Sequence, residues 1–324
     1  MISIAERLRP FSHQPGAKCL IPASPYIVEA FPSLVRVKHM DGTVVKEVLL
    51  DIPGPLTQFT LMQDLERGCV TIFSELYRVH VLPNLEISYQ KNPSCPAWKV
   101  QERLSLGCHK KQEWEAIKNR GDFREIFPLW FRLGASLELP LRQGDDRGVF
   151  SLFKKTQLSL FSHRPEEILP QFKKLFLAGF GQMLVPRAFD ADHQGILEET
   201  APLSEDSPLY LLSEGSALIR SLFLLTAENE ISVLPNLPPE FDAGRMVKMR
   251  CPPYGLLDFE WSKKTIRRLH FHAEKDGEVI FYFPAQMRTF RLRQDFREKG
   301  RVYTCGESLE IKSGSHYLLD QFQK

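Results

Sequence analysis

Hydrophobic and polar residues follow three different patterns along the chain. In residues 1–105, short apolar runs rich in β-branched and aromatic residues are separated by turn sequences such as Asp41-Gly42 and Arg67-Gly68. Short runs bounded by glycine and polar turn residues are typical of strands. Because they recur at nearly regular spacing with polar turns between them, this part predicts a β-sandwich rather than βαβ units.

The middle of the chain, residues 106–226, has a helical period instead. Apolar residues over 114–131 fall at helical separations, with a break expected at Pro128. A second helix is predicted to begin near Pro165, because proline suits the first helical position. A third is predicted to follow Ser213, whose hydroxyl suits an N-cap. This part is interpreted as a short helical connector.

The last part, residues 227–324, returns to the strand pattern, with turns at Gly277, Gly300, Gly306 and Gly314. It predicts a second β-sandwich. The predicted fold class is therefore α+β and mostly β, with an N-terminal β-sandwich, a helical connector and a C-terminal β-sandwich.

The net charge and the absence of targeting signals bear on which classes of partner the sequence predicts. Lysine and arginine total 42 against 40 acids, so the net charge of +2 does not favour nucleic acid through bulk electrostatics. One basic run, Lys263-Lys264 with Arg267-Arg268, is interpreted as a solvated face. Neither a signal peptide nor an apolar window of about 20 residues is present, so no membrane partner is predicted. We expect a cytoplasmic protein.

Metal ligands are scattered. None of the six cysteines forms a CxxC pair, and they are interpreted as thiols of a reducing compartment. The segment Asp190-Ala191-Asp192-His193 and the pair His270 and His272 with Glu274 contain potential ligands. Neither group supplies a fourth committed ligand, so we predict no metal and no cofactor.

A family resemblance is carried by the order of elements over residues 213–261. A predicted helix is followed by Leu234-Pro235-Asn236-Leu237-Pro238, a spacer, and a strand from Gly255 to Trp261. This order resembles the junction between the last barrel helix and the C-terminal sandwich in six-hairpin glycosidases of the α-L-fucosidase type. The final segment, residues 306–322, is similar to the end of those sandwiches. The resemblance implies descent from a glycosidase architecture.

Two departures from that family bear on activity. The family carries a catalytic aspartate in a segment before the last helix, and here that position falls on Tyr210 or Leu211. The roughly 120 residues between the two β parts are too few for a barrel of twelve average helices. The resemblance therefore implies that most of the catalytic barrel is absent.

Acidic residues in the loop 185–208 and at the start of the third helix are the candidate catalytic groups. Inverting glycosidases need two carboxyl groups about 6.5–9.5 Å apart. The opposing interpretation is that the loop acids are solvated and that Glu214 stabilises the helix dipole. The candidates are Asp190, Asp192, Glu198 and Glu214.

Trp98 is the candidate carbohydrate-binding residue, because it lies in a linker and an exposed indole can stack on a sugar. The sequence predicts a divergent glycosidase-like protein that binds a carbohydrate or has lost catalysis. Two alternatives stay open. One is a non-catalytic scaffold that binds a protein partner, and the other is a glycoside hydrolase that uses the acidic-loop carboxylates.

Overall fold

The computed structural model describes residues 2–52, 54, 56–161, 164–190, 192, 195–197, 206–295 and 297–324. The first part of the described chain forms short antiparallel strands. In chain order they are β1 (Phe11–Ser12), β2 (Ala17–Leu20), β3 (Ile27–Phe31), β4 (Leu34–Lys38), β5 (Val44–Leu49), β6 (Thr60–Asp64), β7 (Cys69–Phe73), β8 (Arg78–Val81) and β9 (Ile87–Ser88).

These strands form two sheets with a common core. One sheet has the order β1-β6-β7-β8-β9 and the other the order β2-β3-β4-β5. Apolar side chains from both, such as Val28 and Ile72, are fully buried in one cluster. The first part is therefore sandwich-like, as the strand pattern predicted.

The strand β10 (Arg103–Ser105) follows but belongs to neither sheet. It pairs antiparallel with a strand of the C-terminal half, and Leu104 lies opposite Met246. The chain then enters the helices. They are α1 (Trp114–Arg120), α2 (Phe123–Gly134), α3 (Val149–Phe161), α4 (Pro165–Gly179) and α5 (Tyr210–Phe223), with the short hairpin β11 (Phe180–Gly181) and β12 (Val185–Pro186) after α4.

The strands of the last part form two further sheets. They are β13 (Leu224–Ala227), β14 (Glu230–Val233), β15 (Ala243–Cys251), β16 (Gly255–Ser262), β17 (Thr265–Ala273), β18 (Gly277–Tyr282), β19 (Thr289–Arg293), β20 (Arg301–Thr304), β21 (Ser308–Ile311) and β22 (His316–Gln323). A seven-stranded sheet has the order β10-β15-β16-β17-β22-β19-β20, and a four-stranded sheet the order β13-β14-β18-β21. The predicted α+β, mostly β class is confirmed.

A run of aromatic side chains joins the helices to the C-terminal sheet. Phe127 of α2 contacts Phe241 edge to face, with ring centroids 5.6 Å apart. Phe241 contacts Phe223 of α5 at 5.9 Å, and Phe223 contacts Trp261 of β16 at 5.3 Å. The Trp261 indole also donates a hydrogen bond to the Phe241 carbonyl over 3.0 Å. Burial of these rings fixes the helices against the sheet.

The helices differ from the sequence prediction in three ways. Pro128 lies inside α2 and does not end it, because burial of the surrounding aromatic residues outweighs one lost backbone hydrogen bond. The helix α5 begins at Tyr210 and not after Ser213, because Leu211 and Leu212 are buried against the core in its first turn. The sequence pattern did not predict the helix α3.

None of the helices in the described residues combines the length and apolarity that a membrane span requires.

Close packing of α2 against α5 depends on Gly215. A Cβ atom added there would lie 2.6 Å from Cε2 of Trp130, whose indole nitrogen donates to the Leu211 carbonyl over 3.1 Å. Overpacking of a core costs about 1–3 kcal/mol, and the better helix propensity of alanine offsets up to about 1 kcal/mol of it.

We therefore expect Gly215→Ala to lower the free energy of unfolding by about 1–2 kcal/mol, measured by denaturant unfolding. Gly54→Ala is the matched control, because an added Cβ there has no neighbour within 4 Å. Its expected change is within about 0.5 kcal/mol. Equal stability of the two variants would contradict the packing argument.

Candidate functional site

Glu214 lies in a cluster of carboxylates around Arg142. The Arg142 guanidinium contacts Asp146, Asp206 and Glu214 at 3.0, 3.1 and 3.4 Å, and its side chain is only 12% exposed. It also lies over the Phe150 ring, 4.6 Å from the centroid. The contacts join the segment before α3 to the second turn of α5. Glu214 is thus part of an ion-pair network and does not stand alone at a helix start.

The pKa values in this cluster are displaced in opposite directions. Burial raises the pKa of Glu214 above its ordinary value, although Arg142 opposes the shift. Hydrogen bonds from Lys154 and Arg142 lower the pKa of Asp146. Two carboxyl groups with separated pKa values are the pattern that acid–base chemistry uses. The same pattern arises in structural ion-pair networks, and here one guanidinium holds both groups.

Asp190 and Asp192 form ion pairs with a different arginine, Arg187. The Arg187 Nη2 atom is 3.7 Å from the Asp190 carboxylate and 3.1 Å from that of Asp192. The same guanidinium donates to the carbonyls of Leu177 and Ala178 at the end of α4. The two aspartates therefore neutralise a cation that closes a helix C-terminus. Glu198, the remaining catalytic candidate, lies outside the described residues, as does His193.

Trp98 is half-buried against the N-terminal sheet. A Cβ atom added at Gly68 would overlap its side chain, and the Arg132 guanidinium lies 5.2 Å from its ring centroid. The Trp98 indole nitrogen is buried and makes no hydrogen bond with the described residues. One face of the ring is thus occupied by an arginine. An open stacking platform for a sugar would need both the ring and its approach to be clear.

A group of possible metal ligands lies at the start of α2. Ligand atoms of Cys108, Asp122 and Glu125 are all within 4.8 Å of one another. The carboxylates are already paired, however, with Arg120 bound to Glu125 at 2.5 Å and Arg124 bound to Asp122 at 2.8 Å. These ion pairs balance the charge that would attract a cation, and they explain the cluster without one.

A cleft of about 430 Å³ lies where the N-terminal segment meets the seven-stranded sheet. Its walls come from residues 4–5, from residues 105–109 and from the ends of β15, β16 and β17. Trp261 also lines the cleft, although its side chain is only 2% exposed. The polar side chains that line the cleft are Ser105, His109, Arg245, Glu260, Ser262 and Arg267.

Charges in the cleft are arranged across the strand register. Arg245, Glu260 and Arg268 lie side by side on β15, β16 and β17. The Glu260 carboxylate forms ion pairs with Arg245 over 3.2 Å and with Arg268 over 2.7 Å. At the opposite wall His109 is 3.9 Å from Glu6, whose pKa is raised by burial. The residues that line the cleft thus include two arginines against one glutamate, with serine and histidine side chains beside them.

The sequence did not identify this cleft or the two arginines that hold the acids. Neither Arg142 nor Arg187 lies in a recognisable sequence motif. Arg142 and Glu214 are far apart in the sequence, and only the fold brings them into contact. The basic run containing Arg267 and Arg268 was visible but was interpreted as a solvated face. Alternation along Gly255–Ser262 would have put Glu260 and Ser262 on the outer face, but not opposite residues 105–109.

Comparison with known proteins adds no family. No protein-family model matches this sequence, and no curated protein matches it.

The Arg142 cluster gives a prediction about stability. Arg142→Ala leaves its carboxylates without their shared cation, so we expect a loss of roughly 2–4 kcal/mol at neutral pH. The loss should shrink as the pH falls through the lowered pKa of Asp146, because a protonated carboxyl no longer needs the guanidinium.

Chemical denaturation at neutral and at acidic pH measures this. Arg164→Ala is the control, because its pair with Glu167 is exposed to solvent and its loss should change the stability little at either pH. A loss independent of pH would mean that the contact of Arg142 with Phe150, and not its charge, stabilises the fold.

Proposed function

We propose that this chain is a divergent glycosidase-like protein that binds a carbohydrate and does not hydrolyse it. The observation that carries the proposal is the cleft above β15, β16 and β17. Its volume of about 430 Å³ lies in the range of small-molecule sites, which is about 300–1,000 Å³. Its serine, arginine, glutamate and histidine side chains suit the hydroxyl groups of a sugar.

The resemblance to six-hairpin glycosidases is the second support. It concerns the same region, because the strand from Gly255 to Trp261 provides both the resemblance and one wall of the cleft. The cytoplasmic location belongs to the same proposal. It rests on the six cysteines, all of which are free thiols.

The proposal that the protein does not hydrolyse a glycoside rests on the positions of the candidate catalytic acids. Asp190 and Asp192 share Arg187, whereas Glu214 is bound to Arg142. In the part of the chain that the structure describes, these candidates are thus divided between two guanidinium groups. A glycosidase needs one carboxyl to give a proton and the other to act as a base or nucleophile at one glycosidic bond.

A protein-binding scaffold is the second candidate function, favoured by an apolar surface at one end of the N-terminal sandwich. Leu49, Leu76 and Tyr89 are 78%, 62% and 67% exposed. Leu49 is the last residue of β5, which is an edge strand among the described residues, and Leu76 and Tyr89 line a surface pocket together with residues 50–52. This candidate expects a co-purifying protein that Leu49→Lys with Leu76→Lys releases without lowering the melting temperature. Retention of that protein by the double variant would contradict it.

Carbohydrate binding can be tested at the cleft itself. The protein is titrated with a panel of monosaccharides and disaccharides. We expect at least one sugar to change the tryptophan fluorescence in a saturable way, because Trp261 borders the cleft. Ala243→Phe, which adds a ring at the wall, should weaken binding at least tenfold, a loss of about 1.4 kcal/mol. Ala285→Phe, in an exposed turn, is the control. The proposal would be contradicted if no sugar of the panel changed the fluorescence, or if the two variants bound a sugar equally well.

Hydrolysis is tested in parallel with aryl glycosides. Wild type is expected to release no aglycone. Release that Glu214→Gln abolishes, while the unfolding curve is unchanged, would instead establish the hydrolase alternative with Glu214 as the acid, because burial raises its pKa.

A further inference from the structure

Two arginines of the described chain line the cleft, and they differ in how their charge is balanced. Arg245 is paired with Glu260, whereas the Arg267 guanidinium is oriented but not neutralised. The Arg267 Nε atom donates to the Ser262 hydroxyl over 2.7 Å. Its two terminal nitrogens make no hydrogen bond or ion pair with the described residues. A guanidinium anchored at Nε presents its remaining N–H groups as a fork, which matches the two oxygens of a carboxylate or phosphate.

A β-bulge puts this fork on the cleft side. Between β16 and β17 the register shifts, so that Glu260 faces Arg268 while Trp261 faces Ile266. Arg267 is the extra residue and both arginines are exposed on the outer face, whereas Ile266 and Leu269 on either side are buried. Bulges of this kind redirect a side chain that regular alternation would bury.

The charges around the fork do not cancel. Glu260 is the carboxylate in the cleft wall, and both Arg245 and Arg268 already bind it. Two arginines on one glutamate leave one positive charge, Arg267 adds another, and the Glu6 carboxylate beside His109 at the opposite wall offsets one of the two. The turn that follows Ser262 adds Lys263 and Lys264, both exposed and both in the left-handed region, with φ of 51° and 57°. An anion entering the cleft would therefore meet a surplus of positive charge.

We infer that the ligand of this cleft is an anionic carbohydrate, a sugar bearing a carboxylate or a phosphate, whose charged group binds the fork of Arg267. Ser105 and Ser262 then remain for hydroxyl groups. This inference rests on the proposed carbohydrate binding and specifies its ligand class. The cleft then has two roles. The Arg267 fork selects for a negative charge, and the other polar groups bind the hydroxyl groups of the sugar.

The test compares ligands that differ in charge. Wild type is titrated by calorimetry with glucuronate, a glucose phosphate, neutral glucose and inorganic phosphate. We expect glucuronate or the glucose phosphate to bind at least tenfold more tightly than glucose, and binding to weaken as salt is added. The preferred arm tells whether a planar carboxylate or a tetrahedral phosphate fits the fork.

Variants of Arg267 locate the effect. Arg267→Ala should weaken binding of the anionic sugar roughly tenfold to a hundredfold, as expected for the loss of a charge-assisted hydrogen bond. Arg267→Lys keeps the charge without the fork and should fall between. Glu260→Gln removes the competing carboxylate and should strengthen binding. Arg288→Ala is the matched control, an exposed arginine outside the cleft lining, and unfolding curves check that every variant is folded.

The outcomes separate the two proposals. Glucose binding as tightly as glucuronate, with no effect of Arg267→Ala, overturns the anionic ligand but leaves carbohydrate binding in place. Phosphate binding that depends on Arg267, without binding of any sugar, supports the anion site and overturns the carbohydrate function. Failure of every ligand overturns both.

Discussion

Packing of aromatic rings between the helices and the C-terminal sheet is the interaction on which the rest of the fold depends. Phe127, Phe241, Phe223 and Trp261 contact one another in sequence over centroid distances of 5.3–5.9 Å. Rings at such distances attract through complementary edges and faces as well as through burial. Because Trp261 ends this run and also borders the cleft, the cleft wall is fixed by the deepest part of the core. A site on such a support loses little order when it binds.

The arginines divide the charges of the protein into neutralised and available groups. Arg142 and Arg187 are surrounded by acids and tie loops to helices, so their positive charge is balanced inside the fold. Arg267 keeps its terminal nitrogens clear of the described residues. Composition alone, with 42 basic and 40 acidic residues, cannot distinguish these cases. What matters is which charges the fold brings within about 4 Å of each other.

Local patterns predicted the fold class, because strand and helix periods are properties of short segments. The strands from Gly255 to Ile311 and the helix at Pro165 follow this rule. The start of α5 did not, because burial of Leu211 and Leu212 outweighed the capping preference of Ser213. The sites were harder still. Glu214 meets Arg142 across 72 residues, and the bulge that turns Arg267 outward is a property of strand pairing that no single-strand pattern contains.

The strand β10 gives the molecule an architectural consequence. Residues 103–105 are made long before their partner β15, yet they form the edge of its sheet, and residues 4–5 and 107–109 stand over the same sheet as walls of the cleft. The two β parts are thus not interchangeable modules. A C-terminal half expressed alone would expose the edge of β15 to other chains and would hold only one side of the cleft.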